Sequence, residues 1–301
     1  MVQPRRALPR RFALLMLAPL AAALPAAAQD AAPAAKAPAC PRDQFKVMLD
    51  IGHTSESPGA ISARGASEYG FNFVLTRQIE QHLRKAGFSK TSVLITQGQA
   101  RPSLFRRVAL ANKLSGDLLL SIHHDSVPER FKQTWQFGGK TFEFSDRFRG
   151  HSIFISNNNA DRKGSLLFGS LLGRALAAQG MTYTPHYTEK FMGSRRRELV
   201  DAVAGVYRYD QLIVLKNTHM PAVLFEAGSI VNRDEELDLL SEKRQAAIGD
   251  AVTQAVDAFC IARTTPQAPL VASSSRARPA LKPPAIRPKS IALQANGTKR
   301  Q

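Results

Sequence analysis

Four side chains in this 301-residue sequence combine the types and settings that reaction chemistry needs: His53, Glu68, His123 and Glu226. His53 closes Asp50-Ile-Gly-His53, His123 lies in Ser121-Ile-His-His-Asp125, and Glu226 opens Glu226-Ala-Gly. Each follows a short apolar run of the kind that forms a buried strand. Glu68 stands just before a helical pattern. Two imidazoles and a carboxylate on separate loops at one sheet edge form a three-ligand site with an open position, as a catalytic zinc needs, whereas structural zinc is closed by four protein ligands. Glu226 could then take a proton from water that such a metal acidifies to a pKa of about 7. Singly, each residue has a plainer reading. His53 suits a loop or cap, Glu68 a helix N-terminus that favours acids, His123-His124 a buried histidine beside a solvated one, and Glu226 a partner for an arginine. Their coincidence at strand ends favours the site.

The elements that must position them alternate. Phe45–Asp50, Ser92–Thr96, Asp117–Ile122, His151–Ser156, Leu212–Lys216 and Ala222–Glu226 read as strands. Phe71, Leu75, Ile79, Leu83 and Ala86 recur at helical spacing until Gly87. A second helix opens at Pro102 with Leu104/Phe105, Val108/Ala109 and Asn112 on its apolar face, and a third runs from Leu166 to Gln179. The last carries Ile248, Ala251/Val252, Ala255/Val256 and Phe259. Strands separated by long helices imply right-handed crossovers, hence an α/β fold: a mostly parallel twisted sheet with helices on both faces, in a single domain over 45–263. Ligands of such sheets gather at the carboxyl ends of the strands. Two stretches break the alternation, 127–150 and 181–205, the latter with Arg195-Arg196-Arg197, and loops this long are usually functional.

Met48-Leu-Asp-Ile-Gly-His53 with Pro58-Gly59-Ala60, Glu68 and Asn72 resembles the opening block of zinc-dependent N-acetylmuramoyl-L-alanine amidases. Arg107, Ala111-Asn112 and Ser121-Ile-His123 are similar to that family's middle block, and Met220–Gly228 with Asn232 and Glu235-Glu236 to its closing block. The resemblance implies His53, Glu68 and His123 as ligands of one Zn²⁺, Glu226 as the catalytic carboxylate, and peptidoglycan as substrate. The bond cut would be the amide between the lactyl group of N-acetylmuramic acid and L-alanine of the stem peptide. Ile51, Thr54-Ser55, Gln97, His124 and Ser229 depart from the family pattern, so the first loop is expected to differ and His124 to compete with His123 for metal. Some relatives carry an autoinhibitory helix and need a protein activator; 127–150 and 181–205 are where such a device would lie.

Formal charge is +17, from 41 Lys and Arg against 24 Asp and Glu, but residues 1–28 carry four of those excess charges and 264–301 seven, leaving six for everything between. A nucleic-acid partner is therefore not expected. Residues 1–28 read as a signal peptide, with Arg5, Arg6, Arg10 and Arg11, an apolar run from Phe12 to Leu24, and Ala26-Ala27-Ala28 as a cleavage site. That run is short of the roughly 20 residues of a membrane span. Residues 29–44 read as a linker leading into the domain. The basic segment 264–301, with six prolines and no apolar periodicity, is expected to be a disordered tail. The protein is thus expected to be periplasmic or secreted, where Cys40 and Cys260, bracketing the domain, can form a disulfide. A catalytically silent peptidoglycan-binding protein and an exported zinc carboxypeptidase or deacetylase are the competing readings.

Overall fold

The computed structural model describes residues 39–264. The expected signal peptide, most of the linker and the basic tail lie outside them. In chain order the elements are β1 (Val47–Ile51), α1 (Glu68–Lys85), β2 (Ser92–Leu94), α2 (Ala100–Leu114), β3 (Leu118–Asp125), β4 (Gln133–Phe137), β5 (Lys140–Phe144), β6 (Ser152–Ile155), α3 (Arg162–Ala178), β7 (Glu198–Asp201), β8 (Val206–Arg208), α4 (Ile213–Lys216), β9 (Ala222–Ser229), α5 (Arg233–Leu239) and α6 (Glu242–Thr264). Seven strands form one sheet in the order β2-β1-β3-β9-β6-β8-β7, and β4-β5 is a separate hairpin.

Alternation along the strands sorts the core into two faces. Val47, Leu49, Leu118, Leu120, Ile122, Val223 and Phe225 pack on one side under Phe71, Leu75, Ile79 and Leu83 of α1, Phe168 and Leu172 of α3, and Ile248, Val252 and Phe259 of α6. Met48, Leu119, Ala222 and Leu224 face the other side, with Val108 of α2 and Val214 and Leu215 of α4. Each such apolar side chain taken fully out of water contributes roughly 1.5–3 kcal/mol. Ser67 caps α1 by accepting from the Gly70 amide, and beyond its other end Gly87 adopts φ +98°, so the helix stops where expected.

The sheet is mostly parallel, with β1–β2, β1–β3, β3–β9 and β6–β8 parallel but β6–β9 and β7–β8 antiparallel. The reversal at β6 has a local cause. No α-helix separates β3 from β6, so the chain does not cross back over a face and re-enters the sheet from the edge where β3 ended.

Leu212–Lys216, expected as a strand, is instead the one-turn helix α4. A short apolar run suits a buried strand or a buried helix turn equally. Here Val214 and Leu215 are buried while β8 takes the place in the sheet. On α2 the buried positions are Ser103, Arg107, Val108 and Ala111, and Phe105 is 47% exposed, so the expected apolar face is rotated. What turns it is polar: Arg107 has partners inside. The break at 127–150 contains the β4-β5 hairpin, and 181–205 contains two 3-10 turns and β7. Neither holds an α-helix. Cys40 and Cys260 form a disulfide, joining the chain before β1 to α6. Among the described residues no helix is long and apolar enough to cross a membrane.

Candidate metal centre

Gly52 and His53 follow β1 directly, and His53 takes φ +69°, a left-handed conformation uncommon for a residue with a side chain. Arg107 holds it there, donating from Nη2 to the His53 carbonyl and from Nε to Thr96 Oγ1 at 3.0 Å. The guanidinium is buried 3.6 Å from Asp50, whose other oxygen accepts from Ser121 at 2.6 Å. Burial raises the Asp50 pKa, and the charge of Arg107 and the Ser121 hydroxyl oppose that rise. Strand β1, strand β3 and helix α2 are thus tied together directly beneath the first histidine.

His123 projects from β3 over Gly52, where a Cβ would lie 2.5 Å from the imidazole ring. Glu68, first residue of α1, reaches both imidazoles: its Oε1 is 3.0 Å from His53 Nε2 and 2.9 Å from His123 Nδ1. Its Oε2 accepts from the Ala60 amide at 3.1 Å. Burial alone would raise the Glu68 pKa, but the hydrogen bonds and charges of His123 and His53 outweigh it and hold the carboxyl far below the usual range. One ligand atom from each of His53, Glu68 and His123 falls within 4.8 Å of the others, and no other such group occurs among the described residues.

Three observations fit this cluster to a metal ion. The donors are two imidazoles and a carboxylate, a set suited to zinc. His123 Nε2 is buried without a hydrogen-bond partner. Gly59, at φ +80°, leaves room only for hydrogen, because a Cβ would sit 2.5 Å from Glu68 Oε2 and 2.8 Å from the His53 ring.

Glu226 on β9 is the register partner of His123 across the parallel β3–β9 pair, so the two side chains rise from the same sheet face. Its Oε2 is buried and unpartnered. Burial, then the neighbouring Asp125 and Glu68 carboxylates, push its pKa well up, while Arg195 draws it down. A carboxyl with raised proton affinity suits a group that must accept and return a proton near neutral pH.

The family model for N-acetylmuramoyl-L-alanine amidase matches residues 47–258. The chain belongs to this family. It is an amidase of peptidoglycan, as that membership and a triad able to hold a metal together indicate. It is 25% identical over 228 residues to the N-acetylmuramoyl-L-alanine amidase AmiA of Escherichia coli, covering 71% of this chain and 75% of that one. To a putative N-acetylmuramoyl-L-alanine amidase of Buchnera aphidicola it is 22% identical over 217 residues, covering 72% and 97%. Its fold is similar to that of Ami1, the N-acetylmuramyl-L-alanine amidase of Mycobacterium smegmatis, with a TM-score of 0.55, 19% identity, and coverage of 72% and 97%.

Within the amidase, the two adjacent histidines part company. Strand alternation sends His124 to the opposite face, against Phe71, with Nδ1 2.7 Å from Asn72 Oδ1. Burial holds its pKa down to about 3, and because it faces away from the triad, against Phe71 and Asn72, it does not compete for metal. Asn72 also donates to the Gly52 carbonyl at 3.1 Å, linking the first loop to α1. Thr54, one of the departures, is buried and braces that loop by donating to the Gly98 carbonyl at 2.7 Å. In the closing block, Asn232 caps α5, Glu235 accepts from the Gly150 and Ser229 amides, and Glu236 pairs with Arg64 at 2.6 Å.

Sequence reasoning assigned no role to a group beside Glu226. Asp125 accepts from the Tyr187 hydroxyl at 2.7 Å and lies 3.7 Å from Arg195, which donates to the Ser126 carbonyl. Burial pushes the Asp125 pKa up to about 6, against Tyr187 and Arg195, which lower it. The signal available in the sequence was the arginine run in an irregular stretch; its partners lie some 70 residues away along the chain.

Proposed function

We propose that His53, Glu68 and His123 hold one zinc ion and that Glu226 is the catalytic base and acid. The bond broken is the amide between the lactyl group of N-acetylmuramic acid and L-alanine of the stem peptide. One observation carries the reading: a three-donor cluster with ligand atoms within 4.8 Å stands beside a buried carboxyl oxygen, on the neighbouring strand, that has no partner. Zinc there supplies Lewis acidity toward the scissile carbonyl and makes water acidic enough to lose a proton near pH 7. Glu226 accepts the proton from the attacking water and passes it to the departing nitrogen of L-alanine, so that the amine leaves neutral. Arg107, Asp50 and Ser121 keep His53 in place while this happens. Gly52 and Gly59 let the backbone pass close to the ligand side chains, where any Cβ would meet the His123 ring, Glu68 or the His53 ring.

Export of the chain to the periplasm or beyond is the matching location. Support comes from the leader-like residues 1–28 and from the Cys40–Cys260 disulfide, which suits an oxidising compartment. The test uses purified sacculi, with no other protein added. The expected products are intact stem peptides freed from glycan, lost on chelation and restored by zinc. Single amino acids would identify a carboxypeptidase, and binding without release a silent binder. Activity only after addition of an envelope extract would reveal the activator. Glu226→Gln is expected to lower kcat by about 10²–10⁴ with bound zinc unchanged; an undiminished rate would remove Glu226 from its role.

A further inference from the structure

Arg195 is committed to Asp125 and the Ser126 carbonyl, but Arg197, two residues on, is not. Its Nη1 donates to the Ser194 and Arg196 carbonyls at 2.8 and 2.7 Å, and its guanidinium lies 3.6 Å over the Tyr209 ring. No carboxylate among the described residues pairs with it, and its Nε is buried without a partner. A guanidinium fixed through Nη1 by carbonyls and on one face by an aromatic ring has its remaining Nη2, which no group among the described residues holds, already oriented to receive a carboxylate.

Arg197 and Tyr209 belong to the wall of a cavity of about 290 Å³. Phe154, Leu212 and Leu224 supply apolar lining, and Glu226 is part of the same wall. A cavity of this volume is about 8 Å across, and two extended residues span about 7 Å. A peptide whose scissile amide lies at Glu226 therefore has its second residue within the same cavity, whose wall includes Arg197. In a stem peptide the first residue is L-alanine, small and apolar. The second is a glutamate joined onward through its side-chain carboxyl, which leaves its α-carboxylate free.

We propose that this cavity is the stem-peptide subsite, with Arg197 binding the α-carboxylate of the second residue and thereby selecting stems in which that carboxyl is not amidated. The inference rests on the amidase reading for the identity of the ligand. Arg197 acts on affinity and selectivity; the proton transfers remain with Glu226.

The test is binding of two N-acetylmuramoyl tripeptides, both γ-linked at the second residue, one with its α-carboxyl free and one amidated. Binding is measured by calorimetry on the full, zinc-loaded chain carrying Glu226→Gln, and cleavage of the same pair on the wild-type chain. The free acid is expected to bind about 10- to 100-fold more tightly than the amide. Adding Arg197→Gln is expected to bring that ratio to within about twofold, and Arg197→Lys to keep part of it, since charge survives but the fork does not. General damage to the fold would weaken both ligands together and leave the ratio unchanged. No initial preference, or a preference that survives Arg197→Gln, overturns the subsite. A preference lost in Arg197→Gln without cleavage by wild type upholds the subsite and defeats the amidase reading. Cleavage without preference does the reverse.

Discussion

Replacing Arg107 by Gln tests whether the metal centre depends on a buried brace. Arg107 is 1% exposed, 3.6 Å from the fully buried Asp50, and its Nη2 donates to the backbone of His53. The shorter amide side chain forfeits the His53 and Thr96 contacts and leaves the Asp50 carboxylate without its counter-charge. Breaking a buried pair by removing one partner costs about 3–5 kcal/mol, against a total stability of about 5–15 kcal/mol for an ordinary domain. At about 2–4 °C per kcal/mol for a domain of this size, the melting temperature should fall by roughly 6–20 °C. Zinc affinity should fall as well, because His53 then has nothing to hold its left-handed backbone. Asp50 fixes the direction of the pH effect. Burial already raises its pKa, and loss of Arg107 raises it further, so the deficit is largest where the carboxyl must be ionised and shrinks as pH falls and it takes up a proton. The second arm is Arg107→Met with Asp50→Asn, in which no unpaired charge remains. This double variant should recover most of the stability but not the zinc affinity, since the bond to His53 is still missing. Denaturant unfolding at pH 7 and pH 5 and chelator competition for zinc measure the two quantities separately. Additive losses in the double variant, or an Arg107→Gln chain within about 1 kcal/mol of wild type, would refute the brace.

Three other outcomes follow from the same geometry. Gly59→Ala places a methyl against Glu68 and His53 at φ +80°, so it should weaken zinc binding in a chelator titration while the domain still folds cooperatively. Because the disulfide joins residues 220 apart in sequence, reduction or Cys40→Ser with Cys260→Ser should cost about 5 kcal/mol in the chain-entropy model, read by calorimetry. The pair lies at the edge opposite the triad, so zinc affinity should survive. His151 has both ring nitrogens buried without partners, and burial, with Arg244, holds its pKa down to about 4. The unfolded chain therefore takes up a proton below about pH 6.5 that the folded one refuses. Stability should be full above that pH and drop by about 2 kcal/mol between pH 7 and 5 from this residue. His151→Phe should flatten that part of the urea-unfolding profile.

The strands that carry the site, β1, β3 and β9, were legible because each is a short apolar run with polar groups only at its carboxyl end. The four candidate residues came together because those ends share one edge. His124 shows where such reading stops: two neighbouring histidines differ only in strand face, and alternation assigns the face once the strand's register is known. The run at 212–216 failed for a different reason, since a buried helix turn and a buried strand show the same pattern when only five residues long. Strands β7 and β8 were hidden by brevity, at four and three residues. The inward position of Arg107 was not legible from periodicity, because a charged residue on an inward face makes sense only when its partners, 57 and 54 residues away at Asp50 and His53, are in place. The hairpin at 133–144 and the Asp125–Tyr187–Arg195 group depend on contacts of this kind too.

The bond between Cys40 and Cys260 brings the first and last described stretches together behind the sheet, at the amino ends of β1 and β3. The described domain is therefore entered and left on one side, at residues 39 and 264, with the triad at the opposite edge of the sheet. A fluorophore on the exposed Asp43 would sit on that rear side and leave the edge that carries the triad clear.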